Sequence, residues 1–338
     1  MFQALRSIHP DDWRDAGRLG LQSGVAACLA YVAAERIGDL EHFLVIMMAV
    51  TSLQRSIGGT MGQALIRLQS AIAGSLIGFL CLALLPSGWG TAVALSVALF
   101  AVGAATTFRS SWQLAVVPAV GMSLEGKEDL VNTALVTSSG ILLGAAIGTL
   151  VSLLVWPERA EWRFERHYSR ALRATATRLS DAIKATVESG HTPRIQEHVS
   201  AWNESVWLTQ EALSDAKFVN REKMQRQLDA LRELHDSVII LDRAAEVQDP
   251  PLSVEIMRGQ VDVLRQDACH VLNGMAEGRR AGRRIDAIDA TLEKLRSALE
   301  AEDPASPEHE VHSAVAFGLR EVRRNLAALI EARKDVTA

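Results

Sequence analysis

Apolar and charged positions are segregated along this 338-residue chain. Apolar runs dominate up to Trp156, and beyond it charged and apolar positions alternate with a helical period. A membrane-crossing helix needs roughly 20 mostly apolar residues, and four runs approach or meet that length. They are Ala16–Ala34, Leu68–Leu85, Gly90–Phe108 and Val131–Trp156. The pattern predicts a transmembrane domain in residues 1–157 and a helical domain in residues 158–338.

Two shorter apolar runs, Phe43–Leu53 and Trp112–Leu124, could by length alone be buried or re-entrant segments. Charge favours crossings, because positive residues cluster at alternate turns, as the positive-inside rule requires. The turns rich in cations carry Arg6, Arg14 and Arg18, then Arg55 and Arg67, then Arg109, then Arg159, Arg163 and Arg166. We therefore expect about six spans in the inner membrane, with both termini in the cytoplasm.

The predicted fold class is all-α, because lipid offers no hydrogen-bond partner to open strands. Six spans form two triplets, and an odd number of crossings in each triplet inverts the second relative to the first. We expect a six-helix transmembrane bundle of two inverted triplets in the lipid bilayer, followed by a cytoplasmic helical bundle.

Charge and cysteine content exclude several classes of protein. The chain carries 35 Lys and Arg against 40 Asp and Glu, for a net charge of -5, and 17 of these residues precede Pro157. Cations and anions alternate in the second half, so no nucleic-acid partner is expected. Cys28, Cys81 and Cys269 lack metal-ligand spacing, so we expect no metal and no cofactor.

Glycines recur four residues apart in several of the predicted spans, which places them on one helix face and lets backbones approach closely. This spacing fits either helix packing within the bundle or a contact between two copies in a homodimer or larger assembly. The three-glycine series in the last span is the best candidate for such a dimer contact. The helix-packing glycines are Gly58, Gly62, Gly74, Gly78, Gly140, Gly144 and Gly148, with a further pair at Gly20 and Gly24.

The two short spans are the middle members of their triplets, and paired short helices are the usual sequence pointer to a transporter site. Each carries an arginine beside small hydroxyl residues, a combination that favours an anion. Arg55 and Arg109 could equally be topology anchors, Trp112 an interfacial anchor and His42 an interfacial residue. The candidate substrate-binding residues are Arg55, Thr60, Arg67, Arg109, Trp112, Gln113 and His42.

Arg67 opens an apolar run, where an unpaired charge would cost several kcal/mol. It lies in the segment Ser56-Ile-Gly-Gly-Thr-Met-Gly-Gln-Ala-Leu-Ile-Arg67-Leu-Gln-Ser-Ala-Ile-Ala-Gly74. This segment resembles the fusaric acid resistance family of aromatic acid exporters, which shows a Gly-x-Thr turn followed by an arginine. The chain departs from that family at Ser70-Ala71, where Gly-Thr would be expected.

A second feature similar to that family is the last span, which ends in Leu-Leu-Val-Trp156-Pro157 before a charged helix. The resemblance implies export of aromatic or related organic acid anions. A distant similarity to plant malate channels implies an anion channel as the alternative. A membrane-anchored structural or regulatory module, with a helical tail that recruits a partner, is the remaining class.

The second half reads as about five amphipathic helices. In the first of them Ala171, Leu172, Ala176, Leu179 and Ile183 share one face, and the opposite face carries Arg170, Arg173, Arg178 and Lys184. A long run over about Ile195–Val247 is expected to break near residues 216–220. The last helix is predicted over about Glu308–Lys334.

No enzyme is predicted. The histidines of the second half form no HExxH pattern, and neither a phosphate loop nor a nucleophile elbow is present. His309 and His312 lie one turn apart and could bind a metal, but a solvated helix face is the favoured interpretation.

Overall fold

The computed structural model is all-α, as predicted, with no strand among the residues it describes. The chain divides into two compact units, Met1–Arg159 and Ala160–Ala338, close to the boundary predicted at residue 157. The residues described are 10–38, 40–53, 69–70, 72–74, 76–81, 84, 89–108, 115–116, 119–120, 130–188, 191, 194–216, 221–247, 255–279 and 283–334.

The N-terminal unit contains four long helices, at the first, second, fourth and sixth predicted spans. Most of the third predicted span, Leu68–Leu85, is also described, and its described residues are helical. The fifth, Trp112–Leu124, lies largely outside the described residues. The helices are α1 (Pro10–Ile37), α2 (His42–Ser52), α3 (Trp89–Phe108) and α4 (Leu130–Leu154).

Local sequence explains where α1 and α4 end. Gly38 follows α1 with a φ of 80° and donates its N–H to Ala34 O at 3.0 Å, the usual glycine termination of a helix. Trp156, two residues beyond α4, has a φ of 53°, and Pro157 then cannot continue a helix. A non-glycine residue in this conformation is uncommon.

Helices α1 and α3 bury small apolar side chains and expose large ones. On α3, Ala94, Ala98 and Val102 follow one another at four-residue spacing and are fully buried. Phe100 on the same helix is 79% exposed. These two helices therefore pack through small side chains, whereas α2 and α4 also bury large ones, among them Leu44, Met48 and Ile141.

One helix in the described part of the chain, Val136–Leu154, is both long and apolar enough to cross a membrane by itself, with a mean hydropathy of 1.7. Shorter apolar helices cover His42–Ser52, Ile72–Cys81 and Ala92–Thr107. Helix α3 has 20 residues in all, about 30 Å at the rise of an α-helix.

Six helices form the described part of the C-terminal unit, where about five were predicted. Gly278, with a φ of 76°, ends the fourth of them, so the segments on either side are separate helices. The predicted break near residue 216 separates the second and third. The helices are α5 (Ala160–Val187), α6 (Ile195–Asp215), α7 (Arg221–Val247), α8 (Glu255–Ala276), α9 (Arg283–Glu300) and α10 (Pro307–Lys334).

Large apolar side chains fill the core of this second bundle. The face predicted for α5 is buried, with Leu172, Leu179 and Ile183 fully inaccessible. Leu228 and Leu231 of α7 join the same core.

The prediction that Arg178 lies on the exposed face of α5 is wrong. Its side chain is buried because Asp242 of α7 accepts a hydrogen bond from it at 2.9 Å. Arg163, expected among the exposed cations at the membrane exit, is also buried and pairs with Glu211 and Asp215 of α6.

Candidate functional site

The predicted substrate-binding set falls almost entirely outside the described residues. This applies to the central candidate Arg67 and to its neighbouring glycine turn. The predicted substrate-binding and helix-packing residues outside the described ranges are Arg55, Gly58, Thr60, Gly62, Arg67, Arg109, Trp112 and Gln113.

His42, the remaining candidate, lies at the start of α2. Its Nε2 is 2.9 Å from Glu35 Oε2, and its ring centroid is 5.5 Å from that of Tyr31. Both partners belong to the end of α1. His42 at the start of α2 therefore contacts two side chains of the last turns of α1.

The glycine series of α4 lies directly against α2. A Cβ at Gly144 would collide with Val45 O and would lie 2.8 Å from Met48 Cβ. A Cβ at Gly148 would collide with Ala49 O. These two glycines therefore let the backbones of α2 and α4 approach to a distance that no other residue permits.

This contact decides between the two interpretations of the α4 series. The face formed by Gly144 and Gly148 is occupied within the chain, so the prediction that it forms a dimer contact is wrong. Gly140 is packed less tightly, since a Cβ added there would lie 3.5 Å from Val45 Cγ2, an ordinary van der Waals contact. Gly20 and Gly24 of α1 have open space where a Cβ would be, whereas Gly74 and Gly78 are buried.

A buried polar cluster joins the start of α1 to the segment after α4. Arg18 NH2 is 3.0 Å from Glu158 Oε2, with side chains only 3% and 7% exposed. Gln22, one turn along α1, donates from Nε2 to Val155 O at 2.6 Å. The amide thus satisfies a carbonyl that the end of α4 leaves without a helical partner.

From the sequence, Arg18 is expected only to be one of the cations that set the topology. The signal that could have revealed its pairing is the topology itself. If α1 starts and α4 ends on the same side of the bilayer, Arg18 and Glu158 meet at one level. A charge at that depth is stabilised by a partner.

In the C-terminal unit a buried network surrounds His235 of α7. The ring stacks on Trp202 with centroids 3.6 Å apart and planes at 8°, and Arg178 donates to Nε2. Burial, followed by the positive charge of Arg178, lowers the pKa of His235 to about 3. The imidazole is neutral at physiological pH and acts as an acceptor for the arginine.

A cavity of about 450 Å³ opens between α5, α8 and the start of α6. At its centre Asp181 holds two imidazoles, with His191 Nε2 at 2.7 Å from Oδ1 and His198 Nε2 at 3.2 Å from Oδ2. The backbone N–H of Arg194 donates to Oδ2 at 2.8 Å. Burial raises the pKa of Asp181, but these hydrogen bonds and the charges of the histidines together hold it below its ordinary value.

The opposite wall of this cavity comes from α8. Cys269 donates from Sγ to Ala176 O at 3.4 Å, and burial raises the pKa of its thiol. Lys184, half-buried on α5, also lines the cavity. No motif in the sequence announced this site, because its residues are spread over Ala176–Asn273 and meet only through helix packing.

His309 and His312 lie in the first two turns of α10, and both contact Glu302. His312 is buried and its Nδ1 lies 2.8 Å from Glu302 Oε1, so the solvated face expected there is wrong. His309 Nδ1 lies 3.5 Å from Glu302 Oε2. Within the described ranges, no three His, Cys, Asp or Glu side chains are arranged to hold a metal ion.

No protein-family model and no curated protein matches the sequence.

Proposed function

We propose that the chain is an inner-membrane protein that exports aromatic or related organic acid anions. The observation that carries the membrane assignment is the pattern of burial on α3, where alanines are buried and Phe100 faces outward. In water such a helix would gain by turning its phenyl group inward, because burial of apolar surface is the main driving force of folding. In lipid that driving force is absent, and small residues are preferred between helices.

The same pattern is seen on α1, and α4 also exposes large apolar side chains. Leu21 and Leu29 of α1 and Leu150 of α4 are each about half exposed, while Ala26 and Ala30 of α1 are fully buried. Soluble monomers rarely expose contiguous apolar surface beyond a few hundred Å². An acyl-chain environment accounts for all of these helices together.

The substrate class is supported by the resemblance of the segment Ser56–Gly74 to the aromatic acid exporters. In this proposal Arg67 supplies the positive charge for an exported carboxylate. Its planar guanidinium can bind a carboxylate through two parallel hydrogen bonds, a geometry that lysine cannot reproduce.

The test is transport of aromatic carboxylates in inverted membrane vesicles, with and without a proton gradient. Arg67→Ala and Arg67→Lys should both abolish transport while the protein still inserts. Arg14→Ala, at an exposed arginine of α1, is the matched control and should transport normally. Full transport by both Arg67 variants would refute the role of this residue, and transport without any gradient would favour a channel.

The proposed topology has six spans with both termini in the cytoplasm. Reporter fusions at Asp39 and Glu128 should therefore report the periplasmic side. A cytoplasmic reading at either position would exclude the six-span arrangement.

Six spans are half of the twelve common in secondary transporters, so we propose a homodimer or larger assembly. The Gly144 face of α4 is already covered by α2, so another surface has to form that contact. Native mass spectrometry in detergent should show more than a monomer.

A further inference from the structure

The cavity around Asp181 is lined entirely by residues of the C-terminal unit. We propose that it is a separate binding site for a small organic carboxylate, through which the anion carried by the membrane unit is sensed. The choice of ligand class rests on the proposed function. The existence of the cavity and its charge do not depend on that function.

Charge is the first argument for an anionic ligand. Lys184 and Arg194 line the cavity, and Asp181 is the one carboxylate among its lining residues. That carboxylate, bonded to His191 and His198, balances one of the two cations, so the lining residues keep an excess of one positive charge. Arg194 has only a long 3.9 Å contact with Glu197, and its side chain is largely exposed.

The start of α6 adds to this positive potential. Arg194 is the residue before the first turn of this 21-residue helix; its own side chain makes no cap hydrogen bond, and its backbone N–H is the one bonded to Asp181. The unbonded N–H groups of a helix N-terminus attract negative charge. The helix end and two cations therefore act on the same cavity.

Size and wall chemistry favour a carboxylate with an apolar body. The volume of about 450 Å³ lies in the usual range for small-molecule sites, roughly 300–1,000 Å³. Ala176 and the thiol of Cys269 supply an apolar wall opposite Lys184. A phosphate would leave this wall without a ligand contact, whereas an aromatic ring covers it.

Cys269 provides a local probe, because it lines the cavity itself. The chain has three cysteines, so Cys28→Ala with Cys81→Ala leaves Cys269 as the sole thiol of the full-length protein. Alkylation by N-ethylmaleimide is followed in detergent by mass spectrometry, with benzoate as the probe ligand. At about ten times its Kd, benzoate should slow alkylation by about tenfold, because only the empty cavity reacts.

Three comparisons make this protection specific. Benzamide, which has the ring without the charge, and inorganic phosphate, which has the charge without the ring, should protect far less. Lys184→Met in the same background should remove the protection by benzoate. Lys294→Met, at an exposed lysine of α9, should leave it unchanged.

Equilibrium dialysis with radiolabelled benzoate provides a second readout should alkylation of Cys269 prove too slow to follow. The wild type should bind one more benzoate per chain than Lys184→Met. Equal stoichiometry and affinity in the two proteins would overturn the proposal, as would equal protection by benzamide or stronger protection by phosphate.

Vesicle transport separates this site from the proposed function. If transport is absent but benzoate protects Cys269 from alkylation, the exporter proposal is refuted and the binding site is supported. If transport occurs but benzoate does not protect Cys269, the binding site is refuted and the exporter proposal stands.

Discussion

The two units of this chain are built from helices of similar length and differ in which side chains they bury. In the N-terminal unit Ala94 and Ala98 are inside and Phe100 is outside. In the C-terminal unit Leu228 and Leu231 are inside, and most exposed positions are polar or charged. Helical periodicity is common to both units, so periodicity alone does not distinguish them. The size of the side chains buried by α1 and α3 does.

Buried arginines occur in both units, and each is paired with a carboxylate of another segment. In the described part of the N-terminal unit, Arg18 of α1 pairs with Glu158, which follows α4. In the C-terminal unit, Arg163 in the first turn of α5 pairs with Glu211 and Asp215 of α6. Arg178, in the middle of α5, pairs with Asp242 of α7.

The largest effect is expected from enlarging a glycine of α4. Gly144→Leu should destabilise the N-terminal unit by about 4 kcal/mol or more, because the added side chain meets the α2 backbone at Val45 and can only be relieved by separating the helices. Thermal unfolding in detergent measures this change. Gly24→Leu, where the added atoms meet open space, should shift stability by less than about 0.5 kcal/mol. Equal effects of the two substitutions would contradict close packing by small residues.

Removal of the buried arginine of α1 should have the next largest effect. Arg18→Ala should cost about 3 kcal/mol, because Glu158 is left as a buried charge without its 3.0 Å partner. Replacing both residues by methionine should recover most of the loss, since no buried charge remains. Arg14→Ala should have little effect in the same thermal assay. A double variant no more stable than Arg18→Ala would show that the pair is not the source of the effect.

Truncation of large apolar side chains tests the contrast in burial directly. Leu228→Ala, in the fully buried core of the C-terminal unit, should cost about 3 kcal/mol through lost contacts and the cavity left behind. Phe100→Ala removes a larger side chain, yet should cost less than about 0.5 kcal/mol because that side chain is exposed to the surrounding lipid or detergent. Denaturant titrations of the full chain compare the two. A large cost for Phe100→Ala would place that residue inside a helix contact.

The smallest effect concerns acid sensitivity. The folded C-terminal unit holds His235 neutral with a pKa of about 3, whereas the unfolded chain takes up a proton below about pH 6.5. The stability contributed by this residue is present above pH 6.5 and is lost progressively as the pH falls toward 3, by about 2 kcal/mol at pH 4.5.

Urea titrations at pH 7 and pH 4.5 check this dependence. His235→Phe retains a ring against Trp202 and should reduce the acid-induced loss. His270→Gln, at an exposed histidine of α8, should leave it as in the wild type. A wild-type loss that persists in His235→Phe would assign the acid sensitivity to other groups.

The sequence predicted the helices well because each depends on local information. Apolar runs located α1 to α4, and the period of Leu172, Leu179 and Ile183 identified the buried face of α5. The burial of Arg178 was predicted wrongly from the sequence. Its burial depends on a partner 64 residues away, Asp242.

The sites show the same limit. The spacing of Gly144 and Gly148 indicated a close helix contact but not which helix makes it, and the dimer interpretation was wrong. The cavity around Asp181 could not be predicted, since its histidines join it from another helix and a loop. The substrate role of Arg67 stays a prediction, because it depends on residues that the structure does not describe.

The contacts of α4 also determine how the N-terminal unit can move. Gly144 and Gly148 let the backbone of α4 contact that of α2. Gln22 of α1 donates a hydrogen bond to the carbonyl of Val155, just beyond the end of α4. A piston or screw displacement of α4 alone would break backbone-level contacts at both places at once. If the chain is the exporter proposed above, α1, α2 and α4 are therefore expected to move as one block, and the movement has to occur between this block and the rest of the unit.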